Sequence, residues 1–120
     1  MKTGVIIAAH GSKRKKANDV FRQLVAKVKA KLDYELVKGA LLEFGEPGLE
    51  VMTAELVEQG VEKIIIAPLF LFPGAHVEKY LPQEVEELKK DYPQLEFVVA
   101  NSLGTEDVLA DLIKEKIERI

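Results

Sequence analysis

An α/β fold with a mainly parallel sheet is predicted by three features of this 120-residue chain. Strand-like and helix-like segments alternate along its whole length, the connections between them are short, and the strand-like runs 4–9 and 63–69 are apolar almost throughout. A strand buried on both faces reads as a continuous apolar run, and an alternating βα order stacks helices on a parallel sheet. With right-handed crossovers this gives a single domain over residues 1–120, a three-layer α/β/α arrangement around four strands in the order 2-1-3-4.

The first strand is expected at residues 4–9. A helix follows from about Lys13 to Leu32, where Ala17, Val20, Phe21, Leu24, Val25, Val28 and Leu32 recur at helical spacing. Tyr34 to Leu42 alternates more, as an edge strand does. Glu46-Pro47-Gly48 opens a second helix carrying Leu49, Met52, Leu56 and Val57, and Gly60 stops it. Lys63 to Leu69 is a central strand. Pro82 suits the first position of a third helix, with Val85 and Leu88 inward and an end near Tyr92-Pro93. Leu95 to Ala100 forms the fourth strand. Thr105 is expected to cap a last helix whose inner stripe is Val108, Leu109, Leu112, Ile113, Ile117 and Ile120.

Composition narrows the function. With no cysteine, disulfides, thiolate metal sites and a cysteine nucleophile are excluded. The net charge of −3 gives no general attraction to nucleic acid. No apolar run approaches the roughly 20 residues that span a bilayer, so no membrane partner is expected. Met1-Lys2-Thr3 leads straight into a strand with no A-x-A cleavage pattern, and a cytoplasmic location is expected. There is no G-x-G-x-x-G and no P-loop.

The candidate chemistry lies where strands end, since ligands of open α/β sheets bind beyond the carboxyl ends of the strands. The chain has two histidines, and both arrive there: His10 after the first strand and His76 after the third. On the 2-1-3-4 order these strands are neighbours, so two imidazoles can share one divalent metal or one substrate. Two ligands are too few for a closed structural zinc site, which points to an open, exchangeable one. Glu43, after the second strand, is expected at the same edge as a third ligand or proton acceptor. Lys13, Arg14, Lys15 and Lys16 lie at a helix N-terminus, where the dipole disfavours cations, and read either as a solvated face or as a lure for a polyanion. Ser12 can cap that helix or donate to a bound carboxylate. Gly11, Gly45, Gly74 and Gly104 in post-strand loops are turn residues or allow a flat ligand to approach the backbone.

At these residues the chain resembles a known family. Ala9-His10-Gly11-Ser12-Lys13, Leu42-Glu43-Phe44-Gly45-Glu46-Pro47 and Pro68-Leu69-Phe70-Leu71-Phe72-Pro73-Gly74-Ala75-His76-Val77, with Leu81-Pro82 and Leu103-Gly104, are similar to the small archaeal-type sirohydrochlorin cobaltochelatases of the class II chelatase superfamily. The resemblance covers essentially the whole chain and implies a chelatase-like half-domain. It implies insertion of Co²⁺ into sirohydrochlorin on the anaerobic cobalamin route, with Ni²⁺ (toward coenzyme F430) or Fe²⁺ (toward sirohaem) in related members. The cationic substrate aside, it implies no cofactor. It maps the family's paired histidines onto His10 and His76, as metal ligands and catalytic residues, and its acidic residue onto Glu43; tetrapyrrole binding is expected at Ser12, Lys13, Arg14, Phe44, Gly45, Phe72, Gly74 and Ala75. It further implies a homodimer. One departure stands out: the family often has an aspartate two residues before the proline that is here Pro82, and this chain has Tyr80. Two rival readings use the same residues, a metal chaperone and a phosphocarrier resembling the mannose-type IIA domains, with His10 carrying the phosphate.

Overall fold

The computed structural model describes residues 1–75 and 79–120. His76, Val77 and Glu78 lie outside the described residues, so the placement of His76 at the sheet edge is not addressed by it. The elements run β1 (Thr3–Gly11), α1 (Lys15–Lys31), β2 (Leu36–Phe44), α2 (Leu49–Glu58), β3 (Lys63–Pro68), α3 (Leu81–Asp91), β4 (Glu96–Val99) and α4 (Asp107–Glu118). The sheet order is β2-β1-β3-β4 and all three pairings are parallel, as the sequence predicts.

Side chains alternate across β1 and β3, and each face collects its own core. On one face Ile6, Ala8, Ile64 and Ile66 meet Leu49, Met52 and Leu56 of α2 and Leu81, Val85 and Leu88 of α3. On the other, Val5, Ile7, Val37 and Leu41 meet Phe21 of α1, with Val25 and Val28 beside it. Ile6, Leu56, Ile64 and Ile66 are fully buried, and each such side chain contributes about 1.5–3 kcal/mol. Gly39 on β2 leaves room for this packing: a Cβ there would stand 3.0 Å from both the Phe21 ring and Val25.

Several expectations need correction. β1 continues through His10 and Gly11, and β2 through Glu43 and Phe44, so the expected post-strand residues are strand residues. Ala17, Val20, Leu24 and Leu32 are exposed, because α1 meets the sheet along the narrower line of Asn18, Phe21, Val25 and Val28. Pro82 is the second residue of α3, which opens at Leu81. Glu106 holds the cap position of α4 without a side-chain cap hydrogen bond, so Thr105 does not cap it.

The largest correction concerns α4 itself, which has no buried residue. Val108, Ile113 and Ile117 are 74%, 60% and 63% exposed, so the predicted inner stripe faces outward. Val98 of β4 is also exposed, and its partner Ile65 on β3 is half-buried. The α1 side of the sheet is therefore sealed over β1 and β2 and thinly covered over β3 and β4. The elongated shape, 50 × 30 × 28 Å, accords with a helix standing off the core.

Candidate functional site

The carboxyl ends of β1 and β2 build the best-defined part of the site. Ala9 pairs with Leu41, but Gly11 pairs with Phe44, so β2 carries one extra residue across this step. In regular register Glu43 would lie opposite Gly11, on the face away from His10, because strand side chains alternate. The extra residue turns Glu43 onto the side of His10, a known use of bulges near functional sites. The result is a contact of 2.5 Å between His10 Nε2 and Glu43 Oε2, with both side chains partly open to solvent.

Two glycines make this closure possible. Gly11 has φ +91°, and a Cβ there would stand 2.0 Å from the Phe44 carbonyl oxygen. Gly45 has φ +118°, and its Cβ would collide with Leu41 and crowd the Asn18 amide. Both positions combine a left-handed backbone with close approach, which glycine alone meets without strain.

Asn18, near the start of α1, is buried beneath these strand ends. Its Oδ1 accepts the Ser12 N–H at 2.9 Å, and its Nδ2 donates to the Ser12 carbonyl at 2.9 Å and to the Phe44 carbonyl at 3.4 Å. Ser12 Oγ accepts the Arg14 N–H at 3.0 Å, so it bonds a backbone amide in the turn before α1.

Around the pair, the Phe44 ring meets the His10 ring edge-on at 5.2 Å between centroids, and Lys13 Nζ lies 5.4 Å from the Phe44 centroid. Ser12, Lys13, Lys15, Asn18, Arg22, Glu43, Phe44 and Gly45 line an open cleft of about 530 Å³. Arg14 and Lys16 are exposed beside it. Three cationic side chains, Lys13, Lys15 and Arg22, thus line a cleft with Glu43 at its wall, Arg22 being paired with Asp19 at 3.1 Å, and the local excess of positive charge favours an anionic ligand.

The structure thus brings together His10, Ser12, Lys13, Glu43, Phe44 and Gly45. Phe72, Gly74 and Ala75 are exposed on the segment after β3, and Phe72 lines a second, apolar cleft of about 430 Å³ with Leu71, Leu109, Leu112 and Ile113. Tyr80 is half exposed at the entrance to α3. Among the described residues no group of three or more His, Asp or Glu side chains gathers around a potential metal position, so His10 and Glu43 supply two candidate donors. Nor, among them, is any helix long and apolar enough to cross a membrane. Asn18 and Arg22 are the site residues that sequence reasoning missed.

Comparison with known proteins gives a consistent picture. The profile of the CbiX family matches residues 4–120. The sirohydrochlorin cobaltochelatase of Sulfurisphaera tokodaii is 30% identical over 117 residues, covering 98% of this chain and 92% of that one. The chloroplastic sirohydrochlorin ferrochelatase of Arabidopsis thaliana is 30% identical over 115 residues, 96% of this chain but 51% of its own length. Among solved structures, the sirohydrochlorin chelatase SirB of Bacillus subtilis subspecies spizizenii, in complex with cobalt, superposes with a TM-score of 0.96 at 25% identity, covering 100% of this chain and 51% of that one. The chain therefore spans about half the length of the plant relative and of SirB, and nearly the whole of the archaeal relative.

Proposed function

The chain belongs to the CbiX family, and from that premise we propose that it is a sirohydrochlorin chelatase, a lyase-class enzyme inserting Co²⁺ into the tetrapyrrole. The observation that carries the reading is the His10–Glu43 pair at the open end of a parallel sheet, beside a cleft lined by cations. Curated relatives bear both cobalt and iron names. The choice of Co²⁺ rests on the archaeal relative, a cobaltochelatase by name that is matched over 92% of its own length.

In this mechanism the metal is a substrate and no further cofactor takes part. His10 and His76 hold the divalent ion, with water in its remaining positions. The ion enters where His10 Nε2 faces Glu43 Oε2. Lys13 and Arg14 steer the carboxylates of the macrocycle, with Lys15, Lys16 and Arg22 adding to the local field. Ser12, Phe44 and Gly45 form one wall, and Phe72, Gly74 and Ala75 the other. As the metal enters the ring, two pyrrolic protons leave, and Glu43 with His10 receives them. We assign the reaction to the cytoplasm, with no nucleic-acid or membrane partner.

The working unit is a homodimer. Two facts support a second copy: α4 holds its apolar stripe outward, and the β3–β4 part of one sheet face is thinly covered. A second copy offers both an apolar surface for α4 and an opposite wall for a macrocycle too broad for one such unit.

Sirohydrochlorin, incubated with the protein and Co²⁺, Ni²⁺ or Fe²⁺ in parallel and followed by absorbance, tests the reading. Insertion faster than the uncatalysed rate is expected with Co²⁺. No acceleration with any of the three metals overturns the function, and acceleration by Fe²⁺ or Ni²⁺ alone overturns the choice of metal.

A further inference from the structure

We propose that Asn18 is a positioning residue that sets the geometry between His10 and Glu43. Ser12 lies two residues after His10, and Phe44 directly follows Glu43. The Asn18 amide bonds both Ser12 backbone groups and the Phe44 carbonyl, and so ties the exit of β1 to the exit of β2 on either side of the pair. A neutral amide is required: one oxygen accepts, and the two hydrogens of one nitrogen go to two different carbonyls. An aspartate of the same shape would lose both donations and set a carboxylate against two carbonyl oxygens. At 8% exposure, that mismatch has little water to relieve it. The register shift in β2 leaves the ladder between Ala9 and Gly11 irregular, so backbone pairing alone does not hold Glu43 in place there. The amide supplies the missing constraint.

The inference rests on the catalytic reading for its kinetic consequence but not for its structural one. Asn18→Asp and the smaller, uncharged Asn18→Ser are compared with the wild type and with Glu43→Gln. At fixed pH and without tetrapyrrole, the ¹⁵N resonance of His10 Nε2 should move in both Asn18 variants toward its value in Glu43→Gln. In the insertion assay kcat should fall about 10–100-fold with KM for sirohydrochlorin nearly unchanged, the cost of a misplacement of about an ångström. Combining Asn18→Asp with Glu43→Gln should cost no more than Glu43→Gln alone, because both act on one contact. An unmoved His10 resonance in folded variants, or losses that multiply in the double variant, overturns the proposal. So does failure of both Asn18 variants to fold, which would make the residue architectural. If the wild type inserts no metal, the chelatase reading falls while the resonance still decides the role of Asn18.

Discussion

His10 Nε2 and Glu43 Oε2 stand 2.5 Å apart although their strands in regular register would point them to opposite faces. The extra residue in β2 makes the contact, and on the proposed mechanism the contact couples a metal donor to a proton acceptor. Glu43→Gln keeps the shape and removes the charge. On the proposed mechanism it slows cobalt insertion by about 100-fold or more, the usual scale of a lost general base. His10→Ala and His76→Ala should each abolish insertion above background. Absorbance assays on the three variants check this, and full activity in any of them removes that residue from the mechanism.

Gly11 and Gly60 share a left-handed backbone, with φ +91° and +85°, but differ in their surroundings. A Cβ on Gly60 meets nothing within 4 Å, whereas one on Gly11 stands 2.0 Å from the Phe44 carbonyl. Gly60→Ala should therefore cost about 1–2 kcal/mol, the left-handed penalty alone. Gly11→Ala must also push β2 aside. It is expected to cost more than Gly60→Ala and, unlike it, to depress insertion. Urea unfolding and the insertion assay on the same two proteins separate the effects.

The sheet was legible because its evidence is local: apolar runs at 4–9 and 63–69 mark buried strands, and short connections impose the order. The position of His10 at the edge followed. The bulge that turns Glu43 toward it was not legible, because it exists in the pairing of two strands and neither strand's sequence marks it. Asn18 was hidden for a related reason. It sits among polar helix residues, and its burial arises because two strand ends fold over it. Its spacing from Ser12, within reach of that loop's backbone groups, was the one available signal. The stripe of α4 was read correctly as apolar and wrongly as inward, since periodicity reveals that a face needs covering and says nothing of what covers it.

Ile113 is 60% exposed in the middle of α4, within the outward apolar stripe that also holds Val108 and Ile117. In the proposed dimer this surface is covered, so a charge there opposes assembly. Ile113→Lys should shift the protein from dimer to monomer in light scattering coupled to size exclusion, while far-ultraviolet dichroism is retained. The wild-type Tm should rise with protein concentration and that of the variant should not, since association stabilises by mass action. A wild type that is monomeric at all concentrations removes the dimer.

Glu84, in the first turn of α3, has its carboxyl raised above the ordinary value of 4.5, first by burial and then by repulsion from Glu50 at the start of α2. The sign of the pH effect follows from linkage. A group that holds its proton more tightly when folded adds stability below its unfolded pKa, and that stability is lost as pH rises through the folded value. At neutral pH the half-buried charge therefore opposes folding, and Glu84→Gln, which is neutral throughout, should raise Tm. Well below pH 4.5 both forms of the chain are uncharged at this position, and the difference should vanish. Glu50→Gln should act in the same direction but less strongly, because it removes the smaller of the two causes and leaves the desolvation of Glu84 intact. Thermal unfolding of the three proteins across the acid-to-neutral range checks the order. A Glu50→Gln gain of more than half that of Glu84→Gln would show repulsion, not burial, to be the greater influence on this carboxyl.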